Sequence, residues 1–144
     1  LRLGQAVIVE GPYGRFVFED SRPHQIWIGA GVGITPFLAR LEQLAATPAP
    51  RNIDLFHATG NADGAFLDRL RALALAAGVR LHVRRAGQGP RLTGADIRGL
   101  VPAWPEASAW FCGPASFGSA LRRDFSAMGM PVGERFHQEL FALR

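Results

Sequence analysis

A short apolar run, Ile26-Trp27-Ile28, leads into Gly29-Ala30-Gly31-Val32-Gly33-Ile34-Thr35-Pro36 and then into a segment of helical periodicity, Pro36 to Ala46. This succession constrains the fold more than any other feature of the chain. Glycines between a buried strand and a helix let the backbone bend sharply and approach a neighbour without a side chain in the way. Thr35 is placed to cap the helix and Pro36 suits its first turn, so the helix start offers backbone N–H groups to an anion such as a pyrophosphate. The run departs from the dinucleotide fingerprint G-x-G-x-x-G, with Ile34 at the third glycine position, and no acidic residue clearly follows the next strand as a ribose partner. Tight packing alone also explains such a turn, so its meaning depends on the rest of the chain.

The rest alternates. Ile53 to His57 reads as a strand, Ala65 to Ala77 as a helix closed by Gly78, and Val79 to Val83 as a third strand. An irregular stretch from Arg84 to Pro105, with a short helix near Ala95, precedes a strand from Ala109 to Cys112 and a helix from Pro114 to Ala127. A fifth strand is expected over Glu134 to Glu139. Short strands separated by helices require right-handed crossovers, so the expected fold class is α/β, a doubly wound, parallel, five-stranded sheet. In such sheets a ligand lies at the carboxyl ends of the strands where the winding reverses, which selects the loops after the first and fourth of these strands. Before them, Ala6 to Glu10 reads as a strand ended by the turn Gly11-Pro12-Tyr13-Gly14, and Phe16 to Phe18 as extended again.

At 144 residues and 48% apolar content the chain supports one domain with a real core. Its longest apolar stretch is interrupted by glycines and a proline and falls short of the roughly 20 residues of a membrane-spanning helix. A single cysteine, Cys112, excludes an internal disulfide and a cysteine-based zinc site. The net charge of +4 comes from sixteen arginines, with no lysine, against twelve carboxylates. These arginines are scattered, so a nucleic-acid partner is not expected; they suit phosphate ligands or an anionic membrane surface equally. Beginning at Leu1, the chain reads as a piece of a longer protein.

Four motifs occur in a fixed order: Gly11-Pro12-Tyr13-Gly14, Gly29 to Phe37, Phe111-Cys112-Gly113-Pro114, and Glu139-Leu140-Phe141. Together they resemble the ferredoxin-NADP reductase superfamily, most closely its ferric reductase and NADPH oxidase branch, over nearly the whole chain. The resemblance implies a nucleotide-binding domain at residues 23–144, preceded at 1–22 by the last strand and linker of an FAD-binding β-barrel. It implies NAD(P)H and FAD as cofactors, the FAD held mainly by the upstream barrel, and, in that branch, a haem-bearing membrane domain as a further partner at the cytoplasmic side of the inner membrane.

It also implies roles. Gly29, Gly31, Val32, Gly33, Thr35, Pro36, Gly113 and Pro114 are expected around the nucleotide, Cys112 against the nicotinamide as a positioning group, Glu139 near the reacting centre and Phe141 over the flavin. His137 is expected to be structural. Thr59 and Asn61 lie where relatives place a group for the ribose, but no cation stands there. Arg84, Arg85 or Arg91 can substitute, or serve as solvated surface, so NADH versus NADPH stays open. The implied function is delivery of hydride from NAD(P)H to FAD for onward electron transfer, in a membrane ferric reductase-like protein. A soluble reductase component feeding an iron–sulfur partner and a non-catalytic nucleotide sensor remain alternatives.

Overall fold

The computed structural model describes residues 18, 20, 22–48, 52–60 and 63–141, with the backbone alone at position 141. The expected barrel strand Ala6 to Glu10 and its turn lie outside these residues. Five parallel strands form one sheet in the order β3-β2-β1-β4-β5: β1 His24–Ala30, β2 Asn52–Thr59, β3 Arg80–Arg85, β4 Ser108–Pro114 and β5 Phe136–Phe141. The chain winds outward from β1 through β2 to β3, then returns to the other side of β1 for β4 and β5. The winding therefore reverses between β1 and β4, as the α/β expectation required.

Alternation along the strands sends side chains to two faces. On the first, Trp27, Leu55, Trp110 and Cys112 meet Phe37, Leu41 and Leu44 of α1 (Thr35–Ala46) and Leu67, Leu70 and Ala74 of α2 (Gly64–Ala77). On the second, Ile26, Ile28, Phe56, Ala109, Phe111 and Phe136 meet Ile97 of α3 (Gly94–Leu100) and Leu121 and Phe125 of α4 (Ala115–Ala127). The indole N–H groups buried between layers are satisfied locally: Trp27 Nε1 donates to Gln25 Oε1 at 2.8 Å and Trp110 Nε1 to Ser108 Oγ at 3.2 Å.

Caps set the helix ends. Asp63 accepts from the Ala65 amide at the start of α2, and Gly78, with φ of +74°, closes it. Thr93 and Asp96 form a reciprocal capping box on α3, which is the short helix expected near Ala95. A 3-10 turn at Trp104–Glu106 and a helical turn, α5 (Val132–Arg135), had no periodic signature. The latter takes up residues assigned to the fifth strand, so β5 starts two residues later and runs to Phe141. Phe18 is also not extended: its φ is +54°, and this bend turns its ring into the first face, with centroids 4.9 Å from Trp27 and 5.2 Å from Trp110. Gln25 Nε2 donates to its carbonyl.

Candidate functional site

The site follows from where β1 ends. Residues Gly31–Ile34 make one 3-10 turn and hand over to α1 without a break. Gly33 lies so close to β4 that an added Cβ would stand 2.0 Å from the Cys112 carbonyl oxygen. Gly29 is equally closed in, its Cβ position 3.0 Å from Ile34 Cα and from the Phe37 ring. Gly31 is the opposite case. It has φ of +59° with nothing within 4 Å of its Cβ position, and Val32 beside it is 68% exposed. The inner side of the turn is thus welded to β4 while its outer side stands open, the form expected of a cradle for a ligand that approaches the backbone.

Thr35 departs from its expected role. It is the first residue of α1, and its hydroxyl donates to the Val32 carbonyl at 2.9 Å rather than accepting from an amide. No side chain caps α1, and Pro36 sits buried in its first turn. The Thr35 amide donates to the Val32 carbonyl and Pro36 has no N–H, so an anion would meet this helical segment at the start of the 3-10 turn rather than at the start of α1, supported by the helix dipole.

Strand register assembles the other motif residues at the same end of the sheet. Cys112 pairs with Gly29 on one side and Glu139 on the other, and Pro114 pairs with Phe141. Gly113 is packed against Ala30 and the Phe111 ring, either of which a Cβ would meet at 2.9 Å. Cys112 is 0% exposed and Glu139 7% exposed, and the thiol belongs to the first-face core layer. The pair meets the turn through backbone: the Cys112–Gly113 peptide lies against Gly33. The Phe141 side chain and Asn61 lie outside the described residues. His137 stacks on Trp110 at 3.9 Å, with Nε2 3.6 Å from Asp20, in keeping with a structural part.

One residue of this row had no motif to announce it. His57, on β2 beside Gly29, is buried, and its Nδ1–H donates to the Gly29 carbonyl at 2.9 Å. Burial holds its imidazole below the ordinary histidine pKa, against the opposing effect of that hydrogen bond. Only a polar residue closing the strand Ile53 to His57, which also carries Asp54, could have pointed to it.

Arg84 has partners of its own. It faces the second side of the sheet, where its guanidinium donates to the Pro90 carbonyl at 2.9 Å and meets Asp96 at 3.3 Å. Thr59 ends β2 in register with Arg85 of β3, at the carboxyl edge of the sheet.

A parallel sheet with this strand order and a glycine turn pinned across its switch point defines a nucleotide-binding domain of the ferredoxin-reductase type. Comparison with known proteins agrees. No family model matches the chain. It is 30% identical over 145 residues to a phenoxybenzoate dioxygenase subunit beta of Ectopseudomonas oleovorans, covering 99% of this chain and 42% of that protein. It is 32% identical to a flavohemoprotein of Deinococcus radiodurans, covering 92% of the chain and 36% of that protein. Among solved structures, the FAD/NAD-binding domain of a Vibrio cholerae nitric oxide dioxygenase superposes with a TM-score of 0.72 at 23% identity, over 87% of this chain and 53% of that one. The chain is a ferredoxin-NADP reductase-like nucleotide-binding domain spanning less than half the length of these curated relatives. Among the described residues no helix is long and apolar enough to cross a membrane, and no cluster of three metal-ligating side chains occurs.

Proposed function

We propose that this chain is the NAD(P)H-binding part of a flavin-dependent reductase component whose electrons pass to a haem or iron–sulfur partner. The observation that carries this reading is the Gly31–Ile34 turn, fixed against the Cys112 carbonyl on its inner side and open at Gly31 and Val32 on its outer side. The relatives named above, a flavohemoprotein and a dioxygenase subunit, favour a reductase serving an oxygenase or haem partner over the membrane ferric reductase expected from the motifs. Placement at the inner membrane is set aside with it.

When bound, the nicotinamide supplies hydride and the flavin accepts it, and this chemistry belongs to the cofactors. The chain contributes position. Backbone N–H groups at the start of the Gly31–Ile34 turn would hold the pyrophosphate, and Gly31 would let it approach the backbone. His57 and the Cys112 carbonyl fix the two sides of the turn, so the angle at which a nucleotide leaves it is set by the sheet. Hydride transfer needs reacting atoms held about 3 to 3.5 Å apart, and a turn welded to two strands provides that rigidity. Glu139, on the strand beside Cys112, places a carboxyl group next to the expected nicotinamide position.

The test is to mix the full-length, flavin-loaded protein anaerobically with NADH or NADPH and follow loss of the flavin's visible absorbance. Rapid bleaching is expected. Nucleotide binding without bleaching would favour a sensor domain, and no binding at all would end the assignment.

A further inference from the structure

The arginines are spread along the chain, but their excess over carboxylates is not. The segment from Gly64 to Arg85, which forms α2 and β3, carries Arg69, Arg71, Arg80, Arg84 and Arg85 against Asp68 alone. The whole of the chain's net charge of +4 therefore arises in this unit, and the remaining residues balance. β3 is also an outer strand: it pairs with β2 on one side, and among the described residues no strand lies on the other. A sheet edge presents unpaired backbone N–H and C=O groups along its length.

Both faces of this edge are open as well. Leu81 and Val83 are only half-buried, whereas Leu55, in register with Leu81 on β2, is fully buried. Beside them on the first face lies a groove of about 370 Å³, lined also by Arg71 and by Leu75, which is 84% exposed. Arg71 meets Asp68 at 3.5 Å in a pair exposed on both sides, a contact that holds it weakly. A second groove of about 210 Å³, lined in part by Leu92 and Leu100, lies against His82 and Arg84.

We propose that the outer edge of β3 is a docking site for an extended acidic segment of a protein partner, which joins the sheet as a sixth strand. Its backbone matches the free groups of the edge. Its alternate side chains point to opposite faces and so reach both grooves, while its carboxylates meet the guanidiniums, their best-matched anions. A second copy of this chain fits poorly, because pairing two such edges sets Arg80, Arg84 and Arg85 against their own kind with no carboxylate on either strand. A nucleic acid would meet the arginines, but Leu75, Leu81 and Val83 offer its bases no ring to stack on. The site stands apart from the nucleotide reading. β3 is at the opposite edge of the sheet from β5, so a partner tethered there leaves Cys112 and Glu139 clear while its local concentration rises.

The probe is a labelled, end-blocked peptide as long as β3, alternating glutamate with valine, titrated into the full-length protein. Saturable binding that weakens as salt rises is expected. A lysine–valine peptide and a fully N-methylated glutamate–valine peptide, which lacks ladder donors, should each bind at least about 10-fold more weakly. Arg71→Glu and Leu75→Ser, both at exposed positions of α2, should each reduce affinity by about 10-fold with the melting temperature and the rate of flavin reduction unchanged. Equal binding of the acidic and basic peptides, full binding of the N-methylated peptide, or indifference to both substitutions overturns the site. Absence of binding overturns it too and leaves the arginines as guards against edge pairing. A single-stranded DNA oligonucleotide that competes for the same surface, or a dimer in sedimentation that Arg71→Glu alters, replaces the acidic segment with another occupant and overturns the proposal.

Discussion

At the scale of single residues, the glycines of the turn divide into two kinds, and the division is measurable. Gly33→Ala would place a methyl group against the Cys112 carbonyl, so the turn must move away from β4; a loss of about 1 to 3 kcal/mol is expected from denaturant unfolding, as for other overpacked sites. Gly31→Ala meets no neighbour, and only its φ of +59° opposes the change. Its cost should be about 1 to 2 kcal/mol, while nucleotide affinity falls more than stability does. His57 makes a separate prediction. Because its folded pKa is depressed, the unfolded chain binds more protons below about pH 6.5. Stability is fully present above that value and declines as pH falls toward the folded pKa. Thermal melts between pH 7 and pH 5 should show this decline, and His57→Phe should flatten it.

Among elements, β1, β2 and β3 are joined at their starts by a charge cluster that no motif announced. Asp54, buried on β2, accepts from His24 Nε2 at 2.8 Å, from Arg80 Nε at 2.9 Å and Nη2 at 2.8 Å, and from His82 Nε2 at 3.0 Å. Burial raises the carboxyl, but hydrogen bonds from His82, Arg80 and His24 outweigh it and hold the group well below the usual carboxylate range. A depressed carboxylate contributes stability that is present above about pH 3.9 and lost as pH falls further. Asp54→Ala leaves Arg80 and two imidazoles without their acceptor, and a loss of about 3 to 5 kcal/mol is expected, together with a flatter acid limb in the stability–pH curve. The elements were legible to different degrees for physical reasons. The helices over Ala65 to Ala77 and Pro114 to Ala127 have apolar periodicity and clear stops, so their bounds fall within a residue of the structure. The start of β5 falls two residues later than expected because Val132–Arg135 forms a helical turn, after which Phe136 packs beside Phe125.

For the molecule as a whole, Phe18, ahead of β1, is part of the core. Phe18 seals the first face against Trp27, Phe37 and Trp110, and Phe18→Ala should cost about 3 to 5 kcal/mol, read from the unfolding midpoint at unchanged denaturant slope. A much smaller loss would mean that this face closes without it. What the amino-acid sequence determined by itself was the α/β class, the position of the glycine turn and the switch point, because strand and helix periods and the backbone freedom of glycine are local properties. Three features had to wait for the tertiary structure: the burial of the Cys112 thiol, the clamp of His57 on the Gly29 carbonyl, and the tie of Arg84 to Pro90 and Asp96. Each depends on which strands become neighbours and which face a side chain takes, and that is settled only when the sheet assembles from segments far apart in the chain.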